Sequence, residues 1–142
     1  MIKLFELKKV QTEFPSVKVN TSKISYDFIK KFYSGDIEVY ESFFILLLNR
    51  ANKTVGYAKI SQGGVVGTYV DIKIIAKYAV DSLASSVILA HNHPGGNTAP
   101  SEQDKSITQR IKKALALLDV QVFDHIILTE DSYYSFADEG IL

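Results

Sequence analysis

His91 and His93 stand two residues apart in the segment LAHNHPGGNTAPSEQD, and Asp104 follows after ten intervening residues. In extended backbone an i, i+2 pair projects to one side, so both imidazoles share a face, and the loop gives Asp104 the length to return to them. Two imidazoles and a carboxylate are the donors of a nitrogen and oxygen metal site. Three protein ligands leave a fourth zinc position for water, as in a catalytic centre, whereas a structural zinc fills all four with protein. Iron also takes two His and one carboxylate and is the alternative metal, to be separated by metal analysis. An HxH pair alone is ordinarily a pair of surface or core histidines, so the weight falls on the wider pattern.

Ser101 precedes Asp104 by three residues, which places Ser at the N-cap and Asp at the third position of a helix. That spacing is also a capping box, and a carboxylate that ligates metal is not free to reach back to the cap. The two readings compete for Asp104. The third histidine, His125, sits beside Asp124 at the entrance to an apolar stretch; a hydrogen-bonded structural histidine is the better reading, and it stays outside the site.

Hydrophobic periodicity supplies the elements that must position these residues. Residues 2–14 mix alternation with charge and read as one or two edge strands. Thr21 or Ser22 caps a helix with Ile24, Phe28, Ile29 and Phe32 at helical spacing before Gly35. Residues 39–49 read as a central strand, a turn at Asn52 and Lys53 leads into a strand near 55–60, and Gly63, Gly64 and Gly67 loosen the loop beyond. Asp71 caps a helix presenting Ile72, Ile75, Ala76, Ala79 and Leu83 on one face. A short buried strand at 87–90 ends at His91, and two Pro and two adjacent Gly residues hold the following loop irregular until Ser101. A helix over 102–118 follows, with Ile107, Ile111, Ala114, Leu115 and Leu118 on its apolar side, then strands near 121–128 and 133–136. Interleaved strands and helices predict a mixed sheet covered on both faces.

Composition narrows the classes. A chain of 142 residues is the size of one domain. It contains no cysteine, which removes disulfides, thiolate zinc, iron–sulfur clusters and the ligands of a zinc nucleobase deaminase. Lys and Arg number 16 against 16 acids, so no global field favours nucleic acid or an anionic membrane. The charge is unevenly placed, basic over residues 1–31 and acidic over 124–142, which could orient a partner. The longest apolar run, Phe43 to Leu48, is six residues and too short to span a bilayer, so the expected location is cytoplasmic. Contiguous HNH does not match an HNH nuclease, which draws those residues from separate points of its motif.

The buried strand, HNHPGG, the turn-rich loop and SEQD together resemble the JAMM (JAB/MPN) zinc metalloprotease family, in particular its bacterial RadC-like branch. The segments ESFFILLLN, DHIILT and SFADEGIL carry the same resemblance, which covers residues 36–142. It implies a three-layer α/β/α sandwich with a mixed central sheet, of the JAB/MPN, cytidine-deaminase-like type, with residues 1–35 as an amino-terminal extension packed on it. It further implies that His91, His93 and Asp104 bind Zn2+, that Glu41 is general acid and base, and that Ser101 helps stabilise the oxyanion. General chemistry agrees, because a zinc-activated water needs a nearby base to carry its proton to a leaving amine.

Two departures from the branch bear on substrate preference more than on metal binding: Gly95 stands where Ser is common, and Asp71 and Ile72 stand where a His-Pro pair is frequent. The helix-hairpin-helix region of full-length members is not expected within residues 1–35. The function implied is hydrolysis of a peptide or isopeptide bond, with no direct nucleic-acid contact. A non-catalytic protein-binding scaffold and a DNA-repair accessory are the alternatives; scaffolds of this fold typically lose metal ligands, which this chain retains.

Overall fold

The computed structural model describes residues 1–6, 8–63 and 69–142. Its elements in chain order are α1 (Ser22–Lys30), β1 (Glu41–Leu48), β2 (Thr54–Gly63), α2 (Ile72–Asp81), β3 (Ser86–Asn92), α3 (Glu102–Ala116), β4 (Gln121–Leu128) and β5 (Tyr133–Ser135). One five-stranded sheet runs in the order β2-β1-β3-β4-β5. β1 is antiparallel to both β2 and β3, β3 and β4 are parallel, and β5 returns antiparallel to β4. The sheet is therefore mixed, and α3 is the crossover that a parallel β3–β4 pair requires.

Helices cover both faces. α2 and α3 lay Ile75, Ala79, Ile111 and Leu115 on Phe43, Ile45, Leu47, Val87 and Leu89. On the other face α1 lays Tyr26, Phe28 and Ile29 on Leu46, Leu48, Ile88, Ala90, Ile126 and Leu128. Apolar burial on both sides explains why β1 and β3 read as nearly unbroken apolar runs. The predicted caps form: Thr21 accepts from Ile24 N–H, and Asp71 from Lys73 N–H. Asn52 takes a positive φ of 59° in the β1–β2 turn, a conformation Asn tolerates.

Several expectations are corrected. Among the described residues of 2–14 there is no strand; Ile2, Leu4, Phe5 and Val10 lie exposed. Pro15 cannot donate to a ladder, and although Phe14 packs its ring on Tyr57 of β2, hydrogen bonding to β2 begins only at Ser16 and Val17, which bond to Thr54. Leu83 does not extend the apolar face of α2: it follows the helix end at φ 54° and is exposed. α3 stops at Ala116 and leaves Leu118 outside, the turn closing at Asp119 with φ 57°. Gly64 and Gly67 lie outside the described residues. Among those described, no helix is long and apolar enough to cross a membrane.

Candidate metal centre

Alternation along two neighbouring strands builds the site. In the β1–β3 ladder Phe43 faces His91, so Glu41 and Phe43 on one strand accompany His91 and His93 on the next, on the side that α2 and α3 cover. The imidazoles lie at the carboxyl end of β3, and the first turn of α3 is brought over them. Phe43 walls the site, its ring stacked on His91 at 5.9 Å and 7°.

Donor atoms of Glu41, His91 and His93 lie within 4.8 Å of one another. His91 Nε2 is 3.0 Å from His93 Nε2 and 3.8 Å from Glu41 Oε1. Asp104 places Oδ1 3.3 Å from His91 Nε2 and Oδ2 3.3 Å from His93 Nε2. The structure thus brings all four side chains together. Ser101 stands beside them as the N-cap of α3, its Oγ accepting from Asp104 N–H at 3.0 Å.

The two readings of Asp104 are compatible, because a carboxylate has two oxygens and several lone pairs. Oδ2 accepts from Ser101 N–H at 2.8 Å to complete the capping box, while Oδ1 faces His91. Capping aims the carboxylate at the imidazoles. Burial works against the charge of Asp104, but the neighbouring His91 and His93 rings, with the Ser101 N–H, outweigh it and hold the group well below the usual carboxylate range. Burial likewise opposes a charged His93, yet Asp104, the Asn97 carbonyl and Glu41 together raise its pKa.

The donor set fits a metal ion. His93 Nδ1 lies 2.7 Å from the carbonyl of Asn97, which only accepts, so the ring donates there and a neutral His93 turns the Nε2 lone pair to the cluster. Nitrogen and oxygen donors about 2.0–2.1 Å from a tetrahedral zinc sit about 3.3 Å from one another. The His91 and His93 Nε2 atoms are 3.0 Å apart and each lies 3.3 Å from a different oxygen of Asp104, with Glu41 farther from His91 at 3.8 Å.

One buried residue was missed by sequence reasoning. Asn92, between the histidines, points to the opposite face, where Oδ1 accepts from Ser42 N–H at 2.8 Å and Nδ2 donates to the carbonyls of Ile37 and Tyr40 at 2.6 and 2.8 Å. It clamps the backbone on both sides of Glu41. Asn92→Asp keeps the acceptor but turns an oxygen on two carbonyls, and a loss of about 2 to 4 kcal/mol is expected. Urea denaturation measures it, and an unchanged midpoint would remove the clamp from the account.

His125, read from the sequence as a hydrogen-bonded structural histidine, is one. A bulge in β4 between the pairs Val87↔Val122 and Ile88↔Asp124 inserts one residue, so His125, and not Asp124, shares the face of Leu89 and His91. The ring of His125 is wholly buried, 2.8 Å from His91 Nδ1. Burial, then the neighbouring His91, lowers its pKa well below the ordinary value. Asp124 accepts instead from the backbone of His125 and Ala137 and from Ser135 Oγ, tying down the carboxyl-terminal segment.

An α/β sandwich with imidazoles and carboxylates gathered at the carboxyl end of a strand defines a protein with a candidate metal centre. The RadC-like JAB domain family matches residues 19–141, and the chain belongs to that family. It is 43% identical over 124 residues to a UPF0758 protein of Flavobacterium johnsoniae, covering 87% of this chain and 53% of that one. With a UPF0758 protein of Porphyromonas gingivalis it shares 44% over 125 residues, 87% of this chain and 54% of the relative. UPF0758 protein YfjY of Escherichia coli is 43% identical over 102 residues, 72% of this chain and 64% of the relative. The chain spans about half to two thirds of the length of these curated relatives, whose names state no activity.

Proposed function

We propose that the domain is a zinc-dependent hydrolase that cleaves a peptide or isopeptide bond with metal-activated water. The observation that carries this reading is the gathering of two imidazole Nε2 atoms and the Asp104 carboxylate at 3.0 to 3.3 Å, with a second carboxylate just beyond. His91, His93 and Asp104 would hold the ion. When bound, zinc supplies Lewis acidity and brings the pKa of water toward about 7.

The remaining work falls to the chain's own side chains. Glu41 lies farther from His91 than Asp104 does, which suits a group that handles protons over one that ligates. It takes the proton of the attacking water and passes it to the departing amine. Ser101 Oγ already accepts from Asp104 N–H, and its own hydrogen is the one to donate to the developing oxyanion. The substrate is an extended peptide chain or an isopeptide-linked one, and the working location is the cytoplasm, without direct nucleic-acid contact.

Metal analysis of protein purified without chelator, with a screen of peptide, isopeptide and nucleic-acid substrates, tests the reading. About one zinc per chain is expected, with cleavage of an amide or isopeptide bond. His93→Ala should lose most of the metal. Full zinc in that variant would sink the ligand assignment, and tight partner binding without hydrolysis would make the domain a scaffold.

A further inference from the structure

Behind His91 runs a relay that the proposed reaction does not touch. His91 Nδ1 is 2.8 Å from His125 Nε2, and His125 Nδ1 is 2.6 Å from Thr108 Oγ1. Thr108 Oγ1 in turn donates to the Asp104 carbonyl at 2.6 Å. The end of this chain fixes the direction of every proton in it. A carbonyl oxygen only accepts, so the single hydroxyl hydrogen of Thr108 is committed there. Toward His125 the hydroxyl can only accept, and His125 Nδ1 must carry the hydrogen. With one proton on a fully buried ring, Nε2 of His125 is bare and accepts from His91 Nδ1–H. A neutral His91 then has its remaining lone pair on Nε2, aimed at His93, Asp104 and Glu41.

We propose that His125 and Thr108 are positioning residues that lock His91 in the Nδ1–H tautomer and so present its Nε2 lone pair for metal ligation. This rests on the reading of the cluster as a metal centre. The relay closes on helix α3, so one helix turn supplies both the carboxylate in front of His91 and, four residues on, the hydroxyl that orders it from behind. Outer hydrogen bonds of this kind orient ligand rings and raise their basicity.

A purely packing role for His125 is also available, since its ring stacks on Phe136 at 4.6 Å and 17°. Thr108→Val separates the two, keeping the shape while removing the hydroxyl. Long-range 1H–15N spectra of the metal-free protein at mildly alkaline pH report the tautomer, and competition with a chromophoric chelator reports zinc affinity. Wild type should carry its His91 proton on Nδ1. Thr108→Val should redistribute it and weaken zinc binding about 10- to 100-fold, and Thr108→Ser should restore both. A wild-type His91 protonated on Nε2 would overturn the lock, whether or not the variants fold. So would a Thr108→Val protein with unchanged tautomer and affinity. Wild type that binds no zinc overturns the hydrolase reading instead, and its nitrogen shifts still decide the lock.

Discussion

Glu41→Gln protein is expected to fold, to bind zinc as the wild type does, and to turn over substrate about two to four powers of ten more slowly, the usual range for a lost general base. The carboxamide keeps nearly the same shape but cannot accept the proton. Its position favours this separation of roles, because Glu41 lies farther from His91 than Asp104 does and its backbone is held by Asn92 and the start of β1, independent of any metal. Single-turnover cleavage at matched zinc occupancy is the measurement. Equal rates for the two proteins would take Glu41 out of the mechanism.

The largest stability effect is expected at Phe136. Its side chain is wholly buried, it stacks on the His125 ring, and its backbone N–H donates to the His125 carbonyl at 3.0 Å. Phe136→Ala removes the whole aromatic ring from a fully buried site, and a loss of about 3 to 5 kcal/mol is expected. Urea denaturation reads it directly. A midpoint equal to wild type would mean that the carboxyl-terminal segment contributes little to the core.

The parts of this fold legible in the sequence are those with local signals. Thr21, Asp71 and Ser101 are capping residues, and each begins a helix where its side chain implies. β1 and β3 are apolar because they are covered on both sides. The mixed three-layer architecture follows from that alternation of elements, and the family resemblance is supported by the match over residues 19–141. The amino-terminal stretch misled because alternation with charge resembles an edge strand, although no neighbouring backbone was there to pair with it.

At the site, His91, His93 and Asp104 could be named from type and spacing and Glu41 from the family resemblance, but their supports could not. Asn92 carries no sequence signal of its backbone clamp, since the partners it meets depend on how β3 is placed against its neighbours. His125 could be read as a hydrogen-bonded structural histidine, but not as the partner of His91, because strict alternation along β4 from Val122 puts Asp124 on that face. One inserted residue reverses that parity, and nothing in the local sequence marks a bulge. Thr108 reads as an unremarkable helix residue until His125 is placed beside it.

The triplet His91-Asn92-His93 also constrains which alignment of strands the chain can adopt. Its two imidazoles need carboxylates on one side of the sheet, and its amide needs the carbonyls of Ile37 and Tyr40 on the other. A slip of β3 by one residue against β1 would exchange these sides. Both rings would then face the apolar layer on the α1 side, near Phe44 and Leu128, and the amide would face the carboxylates. Each misplaced polar group costs on the order of 1–3 kcal/mol, against a typical domain stability of about 5–15 kcal/mol. Residues gathered for chemistry therefore act as an alignment key, and a chain that mispairs these strands forfeits its stability together with its site.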